Sequence, residues 1–112
     1  MPHRDDQTSL RQILAHAREA LTLAQGKTRH DLDQERVVVL ALLQLLQIIG
    51  EATSRLSVDF CNAHPAIPCA QIIAMRNRLI HGYDVIDLDI VWSVLSSDLP
   101  KLIVELERLI TK

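Results

Sequence analysis

Aromatic side chains are almost missing from this 112-residue chain: one Phe, one Trp and one Tyr make up 3% of it, although 48% is hydrophobic. The core must therefore be built from Leu, Ile, Val and Ala, a mix that favours close-packed helices over a β-sandwich. Turn formers are scarce too, with three Gly and four Pro, which points the same way. Two cysteines, Cys61 and Cys69, are too few for a secreted disulfide scaffold. A strong excess of one charge is also lacking: the net charge is −2 and the pI about 6.2. The protein is no polycation, so any contact with a polyanion must be local. Residues Met1 to Gln7 are polar with no apolar run behind them, unlike a signal peptide. The longest unbroken apolar run, Val37 to Leu43, falls far short of the ~18 residues of a membrane span. These absences leave one domain spanning residues 1–112, expected to be soluble, cytoplasmic and all-α.

What is present is helical periodicity. Leu10, Ile13, Leu14, Ala17, Leu21 and Ala24 share one face of a first helix from about Asp5 to Gln25, which Gly26 closes. His3, His16 and His30 have no obvious partner and are expected to be solvated. Asp31, with Gln34 three residues on, is expected to cap a second helix that runs through Val37 to Ile49. Its only polar stripe is Gln44, Gln47 and Glu51. So apolar a helix must be buried nearly all round. Either one side is the domain core and another a subunit interface, or its own bundle wraps it. Gly50 costs helix stability and suits a close backbone approach.

Between Thr53 and Pro68 a short helical turn and a loop are expected. Cys61, His64 and Cys69 lack the paired spacing of a zinc site and read as a histidine and two small buried thiols. The next helix, with Pro68 in its first turn and Ile72, Ile73, Met75, Leu79 and Ile80 inward, is expected to run to Gly82. After a turn, Asp87 caps a helix with Leu88, Val91, Trp92 and Leu95 inward. Ser97-Asp98-Leu99-Pro100 marks a restart, and a last amphipathic helix follows. About five helices in an up-and-down bundle result.

One stretch concentrates the chemistry: Met75-Arg76-Asn77-Arg78-Leu79-Ile80-His81-Gly82-Tyr83. On a continuous helix Asn77 and His81 share a face, whereas Arg76 and His81, five apart, fall on adjacent sectors. A straight helix does not aim both at one atom. Either Gly82 ends the helix and turns the His, or two copies of the stretch meet across a two-fold axis.

Ile48-Ile49-Gly50-Glu51-Ala52, Pro65-Ala66-Ile67-Pro68, the Arg76–Tyr83 stretch, Asp89-Ile90-Val91-Trp92 and Asp98-Leu99-Pro100 together resemble the HepT-like proteins. These are compact members of the HEPN superfamily of helical-bundle nucleases. The resemblance runs in order from the first helix to the last. Its signature is Arg, four residues, His, one residue, Tyr, with a polar residue after the Arg; Arg76, Asn77, His81 and Tyr83 meet every term. Cys69 stands where relatives commonly carry Trp, a departure that touches packing rather than chemistry. The resemblance implies a homodimeric, metal-independent and cofactor-free RNase toxin with two motifs facing across the interface. It also implies a partner, a minimal nucleotidyltransferase antitoxin that adds AMP to the motif tyrosine, here Tyr83. Within that reading His81 moves protons, Arg76 and Arg78 bind phosphate, and Asn77 orients the imidazole or the phosphate. The alternative is a catalytically idle HEPN dimer that binds nucleotide or the partner enzyme.

Overall fold

In the computed structural model, residues 4–81 and 85–110 are described, Arg4 by its backbone alone. The chain is an α-bundle: α1 (Arg4–Ala24), α2 (Arg29–Gln34), α3 (Arg36–Ser54), α4 (Val58–Ala63), α5 (Cys69–Arg78), α6 (Leu88–Ser93) and α7 (Leu99–Ile110). A two-stranded antiparallel ribbon, β1 (Ile80–His81) and β2 (Val85–Ile86), interrupts it after α5.

The apolar stripe expected of α1 is its buried face: Leu10, Ile13, Leu14 and Ala17 are in the core, joined by Ala20. Gly26 ends the helix in the left-handed region at φ +77°, where a side chain would be strained. Two expectations are corrected next. Thr28, rather than Asp31, is the cap: the Asp31 N–H donates to Thr28 Oγ1 at 3.3 Å and the Thr28 N–H to Asp31 Oδ2 at 2.8 Å. These reciprocal bonds close a capping box around α2, and they hold the Asp31 carboxyl below its ordinary value, the Thr28 N–H being the largest cause. The chain then breaks at Glu35 (φ −115°, ψ 75°), so the long apolar helix is a separate element.

That element, α3, organises the bundle. It is long and apolar enough to cross a bilayer by length and composition alone. Here it lies between α1 and α5 with Val39, Leu42, Leu43, Leu45, Leu46 and Ile49 among its buried residues. One stripe remains uncovered: Val37 is 81% exposed and Leu40 43%. Residues 37, 41, 44, 48 and 51 follow one another along that face at helical spacing. At the far end of α3, Thr53 is buried and donates its hydroxyl to the Ile49 carbonyl at 2.7 Å.

Further departures have local causes. Asp6, on what looked like the polar start of α1, is buried: its carboxylate accepts the Ser57 N–H at 2.8 Å and the Ser57 hydroxyl at 2.7 Å, tying α1 to the start of α4. His16 is half-buried rather than solvated, its Nδ1 bonded to the Gln12 carbonyl at 2.7 Å. Cys61 and Cys69 are not free thiols in the core. They are half-buried and joined as a disulfide between the ends of α4 and α5, with Cα atoms 6.2 Å apart. His64 packs on the Phe60 ring at 4.4 Å. The expected restart at Ser97-Asp98 is instead a π-turn, Val94–Asp98, through which α6 continues into α7. Widening that turn lets Pro100, which lacks an N–H, sit near the start of α7 without the helix breaking.

Candidate active site

Arg76 lies in the last turn of α5, where a cation opposes the negative end of the helix dipole. Its position is set by α3. A methyl group built on Gly50 would stand 2.6 Å from Arg76 Cβ and 2.9 Å from its Cδ. The two helices meet there because Gly50 has no side chain, as its place in an otherwise aliphatic helix suggested. Arg76 and Asn77 line a cleft of about 390 Å³ together with Gln44, Gln47, Ile48 and Glu51 of α3. Among the described residues the side chains of Arg76 and Asn77 make no hydrogen bond or ion pair. Their donors face the cleft unclaimed.

His81 is reached by a different route. α5 does not run on to Gly82; it ends at Arg78, and the Leu79 N–H closes the last turn on the Arg76 carbonyl at 3.4 Å. Leu79 is fully buried and anchors the chain as it turns into β1. Ile80 pairs with Ile86 and His81 with Val85, so Asn77 and His81 do not share a helix face. The Asp87 N–H donates to the Leu79 carbonyl at 2.8 Å, fastening the base of the ribbon. In this register His81 and Asp87 are diagonal neighbours on one face. His81 Nε2 lies 3.0 Å from Asp87 Oδ2.

Asp87 thus has two tasks. Its Oδ1 caps α6 by accepting the Ile90 N–H at 3.1 Å, as its sequence position foretold, and its second oxygen meets the imidazole. The Ile90 N–H is the main cause that holds the Asp87 carboxyl below its ordinary value, with His81 adding to it. A depressed carboxyl stabilises the fold above its unfolded-state value, and that contribution is lost as pH falls through the depressed one. The pairing with His81 was missed because a helix was expected through Gly82; a ribbon across residues 80–86 would have brought the two together.

His81, Asp87, Asn77, Arg78, Ile80 and Ile90 line a second groove of about 400 Å³. Asn77 borders both clefts, while Arg76 and His81 line different ones. A larger apolar groove of about 570 Å³, lined by Ile72, Met75 and Leu102 among others, contains none of the motif residues. Tyr83 lies outside the described residues. Among the described residues no three His, Cys, Asp or Glu side chains are grouped to hold a metal.

Comparison with known proteins decides the family. The family model described as Ribonuclease HepT-like matches residues 10–109. The chain belongs to the HepT-like ribonuclease family. "Probable ribonuclease HepT" of Thermococcus cleftensis is 34% identical over 95 residues, covering 81% of this chain and 86% of that protein. Two Methanocaldococcus jannaschii proteins, "Putative RNase MJ1380" and "Putative RNase MJ0127", are 30% and 29% identical over 107 and 110 residues. Those matches cover 96% and 98% of this chain and 98% and 91% of theirs. No solved structure matches the chain. The family's all-helical expectation agrees with the bundle, and Arg76, expected above to be the motif arginine, is the residue seated on Gly50.

Gly50→Ala tests that seat. In an exposed helix the change stabilises by about 1 kcal/mol. Here the added methyl meets Arg76, and overpacking of this kind costs about 1–3 kcal/mol. We expect a net loss in urea unfolding and weakened RNA cleavage; a stabilised, fully active variant would show that Arg76 does not depend on Gly50.

Proposed function

We propose that this protein is a metal-independent endoribonuclease acting as a homodimer, the toxin of a toxin–antitoxin pair in the cytoplasm. The reading rests above all on Arg76: a half-buried side chain whose stem is held against α3, without a side-chain partner among the described residues, next to Asn77 and five residues before His81. RNA supplies its own nucleophile in the 2′-hydroxyl beside the scissile phosphate. The enzyme then has only to move protons and stabilise a negatively charged transition state. His81 takes the 2′-hydroxyl proton, the 2′-oxygen bonds to phosphorus, and the 5′-oxygen leaves as a hydroxyl. Arg76 offers its planar fork of donors to the phosphate oxygens, Arg78 binds the flanking backbone, and Asn77 positions phosphate or imidazole. The products are a 2′,3′-cyclic phosphate and a 5′-hydroxyl.

Purified protein is expected to cleave single-stranded RNA in EDTA. His81→Ala and Arg76→Ala should each lose about 100- to 10,000-fold in rate with unchanged helical circular dichroism. Retained RNA binding with no cleavage in the wild type would favour the idle, binding-only dimer. Cleavage abolished by chelator but spared in His81→Ala would overturn the mechanism.

Separate clefts for Arg76 and His81 favour a composite site built by two copies, and the uncovered α3 stripe supplies an apolar face for the second copy. Val37, Leu40 and Ala41 lie along it, and it ends at the Arg76 cleft with Ile48 and Glu51. Light scattering at micromolar concentration should give twice 12.6 kDa, and Leu40→Glu should give monomers without activity. A wild-type monomer that cleaves RNA would remove the composite site.

The partner is a minimal nucleotidyltransferase antitoxin. The phenol of Tyr83 attacks the α-phosphate of ATP, pyrophosphate leaves, and AMP remains on the tyrosine two residues past His81. Its phosphate would occupy the approach of RNA phosphate to Arg76 and Arg78. Tyr83→Phe should stay toxic yet escape neutralisation. Intact mass after incubation with ATP, magnesium and the transferase checks this: AMP still added to Tyr83→Phe would place the modification elsewhere.

A further inference from the structure

We propose that Asp87 is a positioning residue that fixes both the orientation and the tautomer of His81, leaving Nδ1 as the nitrogen that takes the proton from RNA. The inference deepens the ribonuclease reading above and rests on it for its catalytic consequence, though not for the tautomer itself.

His81 is 60% exposed, so packing alone does little to orient the ring. Asp87 is better held: its side chain is only 24% exposed and two hydrogen bonds to the fold fix its place. Its N–H is bonded to the carbonyl of the fully buried Leu79, its Oδ1 to the Ile90 N–H, and its Oδ2 faces His81 Nε2 at 3.0 Å. An ionised carboxylate only accepts, so the nitrogen facing it carries the hydrogen. Neutral imidazole has one N–H, and with Nε2 protonated the lone pair is on Nδ1. Nδ1 takes the 2′-hydroxyl proton as the O2′–P bond forms and the P–O5′ bond breaks; the 5′-oxygen gains its proton from water, and the imidazolium returns its own to the hydroxide left behind. The resulting imidazolium then stands against a carboxylate whose charge is already in place, so little reorganisation is needed as positive charge develops.

The double task of Asp87 permits a clean test, because cap and charge can be separated. Asparagine caps helices as well as aspartate does. In Asp87→Asn the amide oxygen keeps the Ile90 N–H, and the NH2 group turns to His81 as a donor. A donor facing Nε2 forces the hydrogen onto Nδ1, the wrong tautomer for the base. We expect Asp87→Asn to melt like wild type, to lose about 100-fold in kcat, and to keep its KM. Asp87→Ser, which caps but cannot reach the ring, should fall between the two. Nitrogen-15 NMR of the full-length protein reads the tautomer directly: Nε2–H in wild type, Nδ1–H in Asp87→Asn. The same ring tautomer in both proteins overturns the proposal, as does full kcat in Asp87→Asn. Should wild type cleave no RNA while the tautomer still switches, the positioning role stands and the ribonuclease reading fails.

Discussion

The distance at which α5 can approach α3 governs the placement of Arg76. Helices normally keep 8–10 Å between axes because side chains stand between them. At Gly50 one side chain is missing, and the stem of Arg76 takes the space. The consequence is mechanical as well as spatial. A long, flexible cation is fixed at its base by the most deeply buried helix of the bundle, so less rotamer freedom is left to lose when its head engages a ligand. The rest of the core serves this contact: α1 backs α3 from the other side, and α7 packs on α1.

His81 is held by wholly different means, and that division explains why two clefts exist. Had α5 continued, His81 would have sat on a surface helix beside Asn77, with no carboxylate near. Ending the helix at Arg78 costs several backbone bonds, which the ribbon partly restores through the Leu79–Asp87 bond and the pairs Ile80–Ile86 and His81–Val85. On the proposed mechanism, a phosphate held by Arg76 and a proton moved by His81 would answer to different parts of the fold, the first to the core and the second to the ribbon.

Much of this was legible in residue order. Leucine and isoleucine periodicity marked the inward faces of α1, α3 and α7, Gly50 announced a close approach, and Asp87 announced a cap. What escaped depended on competition between local signals. Asp31 and Thr28 both belong to a capping box, and the extended backbone of Thr28 (φ −109°, ψ 169°) shows that it starts the helix, with Asp31 already inside it. Pro100 signalled a restart, yet a π-turn absorbs it at lower cost than a break because the apolar face continues from Val94 and Leu95 to Leu99 and Leu102. Asp6 lies in a stretch read only as polar, and its burial follows from a partner 51 residues away. The ribbon was hidden for a different reason: a stretch with apolar residues at 72, 73, 75, 79 and 80 fits a helix by pattern, so Leu79 was rightly read as inward but as part of a continuing helix rather than the turn into β1.

A ribbon of two residue pairs has no stability of its own. It persists because both ends are tied to something larger: Leu79 to the core on one side, and Asp87 to the first turn of α6 on the other. α6 is in turn held to α2 by Arg29, which reaches Asp89 at 2.9 Å while also pairing with Asp33. Each such exposed pair is worth little alone, but they act in series on a short helix whose only cap is Asp87. The residue that meets the imidazole is therefore the same one that caps the helix beside it. A substitution that merely removes the side chain confounds the two effects, whereas one that keeps the cap isolates the chemistry. The site is thus coupled to its scaffold at one carboxylate, with one oxygen assigned to the fold and the other to His81.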